Sequence, residues 1–327
     1  MIQTVTKQTE IVARIARELE EGEPVEGLAR RLAPSDLQSL LLHVFCERSA
    51  RRTPAEILAQ YERTAMVRPS GIDPRALLEI ERAAFESADG FEALDLSPVA
   101  PLGLNRVLGE IDQNNCLAAV RSAELLADPT TVAALECARR RRAGERDTIR
   151  LCSRSRPLRL QPFEGAGFSP HFGLFSLVSS GRVRGTLEFE TESLREHLRF
   201  YLDLLRRLAG LDYSFSSIEV RISETDREEI ALERAEAEVF HPLTASFPEA
   251  TFVLDREREQ GRHYYSGLCL RIDATDPERR RLNLADGGFA DWTQRLLSNG
   301  KERLLVSGIG IQLIASCFRG PRPAGSS

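Results

Sequence analysis

"REREQGRHYYSGLCLRI", residues 256–272, places two adjacent tyrosines, Tyr264 and Tyr265, between glycines, after a run of charge and before an alternating apolar stretch. The whole chain has five tyrosines, so the pair singles this segment out. Side chains alternate between faces along a strand, so a strand here allows at most one ring to line a given cavity while the other packs behind it. The flanking sequence decides whether that cavity belongs to a ligand.

Working outward, residues 91–318 read as antiparallel strands, mostly hairpin-linked, with interspersed helices, which is an α+β pattern. "RPLRLQPFEG" and "PHFGLFSLVSSGR" are strand-like around a glycine-containing turn at 165–169, and "VRGTLEFE" follows. "SLREHLRFYLDLLRRLAGL" is an amphipathic helix, and strands "SFSSIEVRIS" and "ATFVLD" flank a helix over 225–240. "RRLNLADGGF", a short helix and "RLLVSGIGIQLIASCF" complete the core. "DPTTVAALECARRRR" is a helix with Asp128 and Thr130 at its start and four arginines in its last turn, where they suit the helix dipole. Four consecutive residues cannot share one helix face, so the arginine run reads as a helix end rather than a nucleic-acid patch.

The N-terminal 70 residues read as a helical appendage whose arginines (Arg30, Arg31, Arg48, Arg51, Arg52) form a solvated face. The core is placed at 71–318 and a disordered tail at 319–327. A net charge of −5 argues against broad nucleic-acid binding, and no apolar run reaches the length of a membrane span. Six dispersed cysteines without a C-x-x-C pair fit a reduced, cytoplasmic chain with neither disulfide framework nor metal site. No phosphate-loop, nucleophile-elbow or zinc-helix motif occurs, and the five scattered histidines read as structural.

The order of motifs from about residue 75 to 318 resembles the catalytic core of class II aminoacyl-tRNA synthetases, closest to the histidyl-tRNA synthetase branch. A helix and strand ending at Pro98 look like the first class motif, and "LADPTTVAALECARRRR" resembles the family's R-P-[DE]-x-T segment. "PLRLQPFEGAGFSPHFGLFSLVSSG" is similar to the second motif, and the tyrosine stretch to R-G-L-D-Y-Y-T-G. "LNLADGGFADWTQRLL" resembles the G-G-R-Y-D strand, and "LLVSGIGIQLIASCF" the glycine-rich third motif. The resemblance implies an antiparallel sheet flanked by helices, pairing as a homodimer through the first-motif region. It also implies a small-molecule ligand, and the chain ends where the family's anticodon-binding domain would begin.

Carried across by residue, the resemblance assigns Asp128 and Thr130 to the grip on a substrate α-amino group, although Asp128 also suits a helix N-terminus. Tyr264 and Tyr265 would shape the amino-acid pocket, and Gly287 and Gly288 would let a ligand approach the backbone. The catalytic positions depart from the pattern: the second-motif arginine aligns with Glu164, the third-motif arginine with Leu313 and the histidyl-type arginine with Gln260. Arg159 would point to the other strand face, and Arg156 would lie roughly 26 Å from residue 164 at about 3.3 Å per residue. That leaves Arg262 as the local stand-in. Losing one preorganised donor typically costs about 10²–10³ in rate, so losing three argues against tRNA charging. Leu174 and Val178 replace the polar residues that the histidyl type uses for its ligand, which favours something more apolar than histidine.

Three readings follow. The leading one is a non-charging paralogue that binds an amino-acid-like or nucleotide ligand, as a regulatory subunit of the ATP phosphoribosyltransferase type with a catalytic partner. The second is an ATP- and Mg-dependent ligase making an adenylate or amide, with Arg262, Arg154 or Arg156 on phosphate duty. The third is a tRNA-acting accessory protein using the N-terminal arginines.

Overall fold

The computed structural model describes residues 2–19, 24–161, 169–225, 229–258 and 264–320. The chain divides into two compact units, Met1–Arg63 with Ala118–Ala123, and Thr64–Leu117 with Glu124–Ser327. The first unit contains helices α1 (Ile2–Glu18), α2 (Pro34–Ala50) and α3 (Pro54–Arg63). No residue of α2 is buried, and its apolar side chains Leu40, Val44 and Phe45 are exposed. Among the described residues no helix is long and apolar enough to cross a membrane.

The second unit is built on one eight-stranded sheet. Its strands are β1 (Glu92–Leu94), β2 (Ile149–Ser155), β3 (Leu174–Arg182), β4 (Ser216–Glu224), β5 (Ala250–Asp255), β6 (Leu268–Thr275), β7 (Arg281–Phe289) and β8 (Glu302–Ile309), in the spatial order β1-β2-β3-β8-β7-β6-β4-β5. The six central strands pair antiparallel, while each edge strand joins its neighbour in parallel. The parallel pairing of β4 and β5 follows from the helical crossover, Glu229 to Ser246, that separates them.

Alternation along each strand sorts the core into two layers. Phe175, Leu177, Leu305 and Ile309 pack with α4 (Pro74–Ser87) and α6 (Glu188–Ala209) on one face. The buried side chains Leu194, Leu198, Tyr201, Leu205 and Leu208 recur at helical spacing along α6, forming the stripe that covers the sheet. Val178, Leu304 and Val306 face the other way, against α5 (Pro129–Arg142) and Trp292. Among the described residues that second layer covers only part of the sheet, and the part they leave uncovered is the candidate site.

Several sequence expectations are corrected. The described part of "RPLRLQPFEG", residues 156–161, is not a strand: β2 ends at Ser155, and among the described residues beyond Pro157 an isolated bridge, Leu158 to His171, continues the pairing. Proline cannot donate to a ladder, which explains the break. "VRGTLEFE" turns into α6 through Leu187 in the left-handed region (φ 65°). Arg319 and Gly320 belong to the core rather than to a tail, since the Gly320 amide donates to the Asp212 carbonyl at 2.8 Å. The rest of the expected tail, 321–327, and most of the expected 165–169 turn lie outside the described residues. The four arginines ending α5 are spent within the fold: Arg139 and Arg140 share Glu136, Arg141 pairs with buried Glu302, and Arg142 donates to the Leu296 carbonyl.

Candidate functional site

The uncovered face of β3, β7 and β8 carries a cleft of two lobes, each of about 350 Å³, which share Arg159, Leu174, Asp286 and Gly308. The first lobe gathers Asp128, Thr130, Tyr264 and Tyr265, from two segments that are 134 residues or more apart in the chain. Asp128 caps α5, its Oδ1 accepting from the Thr130 amide at 2.9 Å and the Thr130 hydroxyl at 2.7 Å. Oδ2 accepts from the Tyr264 hydroxyl at 2.7 Å and, more loosely, from Arg159 at 3.4 Å. Asp128 thus caps the helix through Oδ1 and borders the first lobe, where Oδ2 takes the Tyr264 hydroxyl. Burial, reinforced by the Asp128 charge, pushes the Tyr264 hydroxyl well above its ordinary range, so it remains a donor.

Both tyrosines line this lobe, contrary to the strand expectation. They precede β6, which begins at Leu268, and Gly267 (φ +83°) breaks the pleat between them and the strand. Freed from alternation, the two rings meet edge to face with centroids 4.8 Å apart, and Tyr264 meets Trp292 in the same way at 5.2 Å. Gly287 and Gly288 do not line the cleft; they stand behind it. A methyl group at Gly288 would lie 2.7 Å from Cγ of Tyr265, and one at Gly287 would lie 2.4 Å from Cβ of Ser307. Gly288 thus seats a pocket ring, and Gly287 admits the neighbouring strand.

Residues missed from sequence complete the site. Arg159 borders both lobes, because the break at Pro157 removes it from strand alternation. Its guanidinium is held by the Ala127 carbonyl at 2.9 Å and sits 5.7 Å from the Phe172 ring. Asp286, on β7, receives two bonds from Arg258 at 3.0 and 3.1 Å. Its only sequence signal was its place immediately before the glycine pair. Arg156 donates to His171 Nδ1 at 2.9 Å and to Gln312 Oε1 at 3.2 Å, behind the second lobe. Glu164, Gln260 and Arg262 lie outside the described residues.

The second lobe differs in character. Phe172, Leu282, Leu284 and Leu313 dominate its wall, with Asn283 and Gln312 as neutral polar members. Leu313 occupies the place expected for a third-motif arginine, and among the described residues lining this lobe Arg159 is the one cation. A magnesium–triphosphate group carries several negative charges that need matched cations. These residues do not fit it. Leu174 lines both lobes, whereas Val178 is buried in the core behind.

With this geometry established, similarity to known proteins can be placed. No protein-family description matches the sequence, and no curated protein is similar to it. Solved structures do match. An ATP phosphoribosyltransferase regulatory subunit/histidyl-tRNA synthetase from Bacillus halodurans C superposes at TM-score 0.55 and 13% identity, over 76% of this chain and 82% of that one. Histidyl-tRNA synthetase from Nostoc sp. PCC 7120 gives 0.54 and 13%, over 76% and 73%. The apo S. aureus histidyl-tRNA synthetase gives 0.52 and 14%, over 74% and 64%. The fold is therefore that of a class II synthetase-like core.

Proposed function

We propose that this chain is a non-charging relative of the histidyl-tRNA synthetase core that binds a small apolar amino acid or a close analogue. The observation that carries this reading is the oxygen cluster of the first lobe. Thr130 and Tyr264 each donate their hydroxyl proton to Asp128, which leaves lone pairs on both hydroxyl oxygens beside a carboxylate. Such a cluster suits a ligand ammonium. In this reading the ammonium takes the place of the long Arg159 contact, and Arg159 turns to the ligand carboxylate. Ile111, Leu174 and Val306 then meet an apolar side chain.

The apolar second lobe supports binding without activation, and the name of the Bacillus halodurans neighbour supports a regulatory role. We therefore propose a homodimer that acts with a catalytic phosphoribosyltransferase subunit. A thermal-shift screen of the amino acids, ATP and phosphoribosyl pyrophosphate tests the ligand, because bound ligand raises apparent stability with log concentration. Apolar amino acids are expected to stabilise, with pyrophosphate exchange silent across the set. Exchange with any amino acid would restore the ligase reading. Failure to co-purify with, or alter the activity of, a catalytic phosphoribosyltransferase would end the regulatory one.

A further inference from the structure

The two lobes of the cleft differ in lining, and the residues they share include one charge of each sign: Arg159 and Asp286 both border both lobes. Each is within reach of a guest, with 42% of the Asp286 side chain and 29% of the Arg159 side chain exposed. Asp286 Oδ1 accepts from Arg258 and from the Gly287 amide, each at 3.0 Å. Among the described residues, Oδ2 accepts from Arg258 alone, at 3.1 Å. A carboxylate offers about four acceptor sites, so Oδ2 can take a further donor.

A free amino acid uses this junction poorly. Its carboxylate suits Arg159 but brings no proton to Asp286, and the two negative charges repel. A neutral amide matches both sides, its carbonyl accepting from Arg159 and its N–H donating to Asp286. Size points the same way. Leucine has about nine non-hydrogen atoms, whereas each lobe alone, at about 350 Å³, falls within the range of about 300–1,000 Å³ that holds a drug-sized ligand.

The second lobe decides what the amide nitrogen carries. Phe172, Leu282, Leu284 and Leu313 dominate its wall, and among its described residues the one cation is Arg159, already engaged at the junction. An apolar group gains there by leaving water, whereas a phosphate or a second carboxylate finds no further cation. We infer that the ligand is a small amino-acid amide: its ammonium lies in the first lobe, its amide at the junction, and an apolar substituent on the amide nitrogen in the second lobe. The inference rests on the amino-acid reading of the first lobe.

The test is calorimetry on the full chain with leucine, leucinamide and leucine benzylamide, at about pH 6.5, where a peptide-type α-amino group is protonated. The benzylamide is expected to bind about tenfold or more tighter than leucine, the return for burying a phenyl ring, with leucinamide between them. Leu313→Gln makes one apolar wall of the second lobe polar, so benzylamide affinity should fall about fivefold while leucine stays within about twofold. Asp286→Asn separates the amide from mere bulk. It removes a charge that repels the leucine carboxylate and weakens the acceptor for an amide N–H. Leucine affinity should therefore hold or rise while leucinamide falls about threefold or more. An Asp286 that only braces the fold would move both ligands in the same direction, and that result overturns the inference. So does benzylamide affinity that Leu313→Gln leaves unchanged, or displacement of the benzylamide by ATP. Leucine binding as tightly as the benzylamide ends the inference and leaves the amino-acid reading standing; silence from all three compounds removes both.

Discussion

Two polar clusters lie on opposite faces of β8, and they use similar chemistry to opposite ends. On the cleft face, hydroxyls and a guanidinium converge on Asp128 around open volume. On the helix face, Tyr201 donates to Ser307 Oγ at 2.6 Å, Ser307 meets His197 Nδ1 at 2.7 Å, and His197 Nε2 meets Ser179 Oγ at 3.0 Å. All four of those residues are buried, from 0% to 2% exposed. A buried cluster that matches donors to acceptors fixes the packing of α6 on the sheet, and of its four residues Ser307 alone also borders the first lobe. The open cluster keeps unused lone pairs beside a cavity. The contrast separates binding from stability, and it can be broken by substitution.

The largest expected effect is on the cleft face. Asp128→Asn keeps a good helix cap, so stability should change by no more than about 1 kcal/mol. It removes the charge that the proposed ligand ammonium would face, and amino-acid affinity should fall about 100-fold, within the range for losing one partner of a desolvated charge pair. Calorimetry and urea unfolding on the same variant check both halves. Affinity within about threefold of wild type would remove Asp128 from the binding role.

Next comes the helix face, where acid is the probe. Burial, with the Arg150 charge adding to it, pulls His197 from 6.5 down to about 3. Between those values the unfolded chain takes a proton that the folded chain refuses. Stability from this group is therefore complete above about pH 6.5 and is lost as pH falls toward 3. The loss at pH 5 should be about 2 kcal/mol, measured by urea unfolding against pH 7. His197→Gln should flatten that slope and leave ligand affinity at neutral pH unchanged. An unaltered slope would place the acid sensitivity elsewhere.

The adjacent glycines sharpen the contrast within one strand. Gly288→Ala strikes the Tyr265 ring, and Gly287→Ala strikes Ser307 on the other face. Each should cost about 1–2 kcal/mol of stability, as overpacking does. Only Gly288→Ala should also weaken the amino-acid ligand, by about tenfold, because it alone displaces a ring of the cleft. Equal affinity losses from the two variants would mean that the faces are coupled through the strand.

How much of this was legible beforehand follows the same division. Period-two runs placed β3, β4, β5, β7 and β8, and the motif order brought Asp128, Thr130, Tyr264 and Tyr265 to one place. Arg159 was left out of the site because strand alternation was extended through Pro157, where the ladder has already ended, yet it lines both lobes. Both tyrosines face the cleft because Gly267 adopts a backbone conformation that the letters permit but do not dictate. His197 looked ordinary because its partners Ser179 and Ser307 lie 18 and 110 residues away. Non-local pairing leaves no period in the sequence.

The smallest effect is the finest test of the open cluster. Tyr264→Phe keeps the ring that packs on Tyr265 and Trp292 and removes one hydroxyl. In the free protein Asp128 Oδ2 loses a donor at 2.7 Å but retains Arg159, so stability should fall by about 1 kcal/mol or less. With ligand bound, the missing lone pair costs the ammonium one acceptor, and affinity should fall about fivefold. If the hydroxyl only braces Asp128, the ligand ammonium itself replaces the lost donor, and affinity should hold or rise. Calorimetry on this one variant therefore separates a tyrosine that touches the ligand from one that positions the carboxylate.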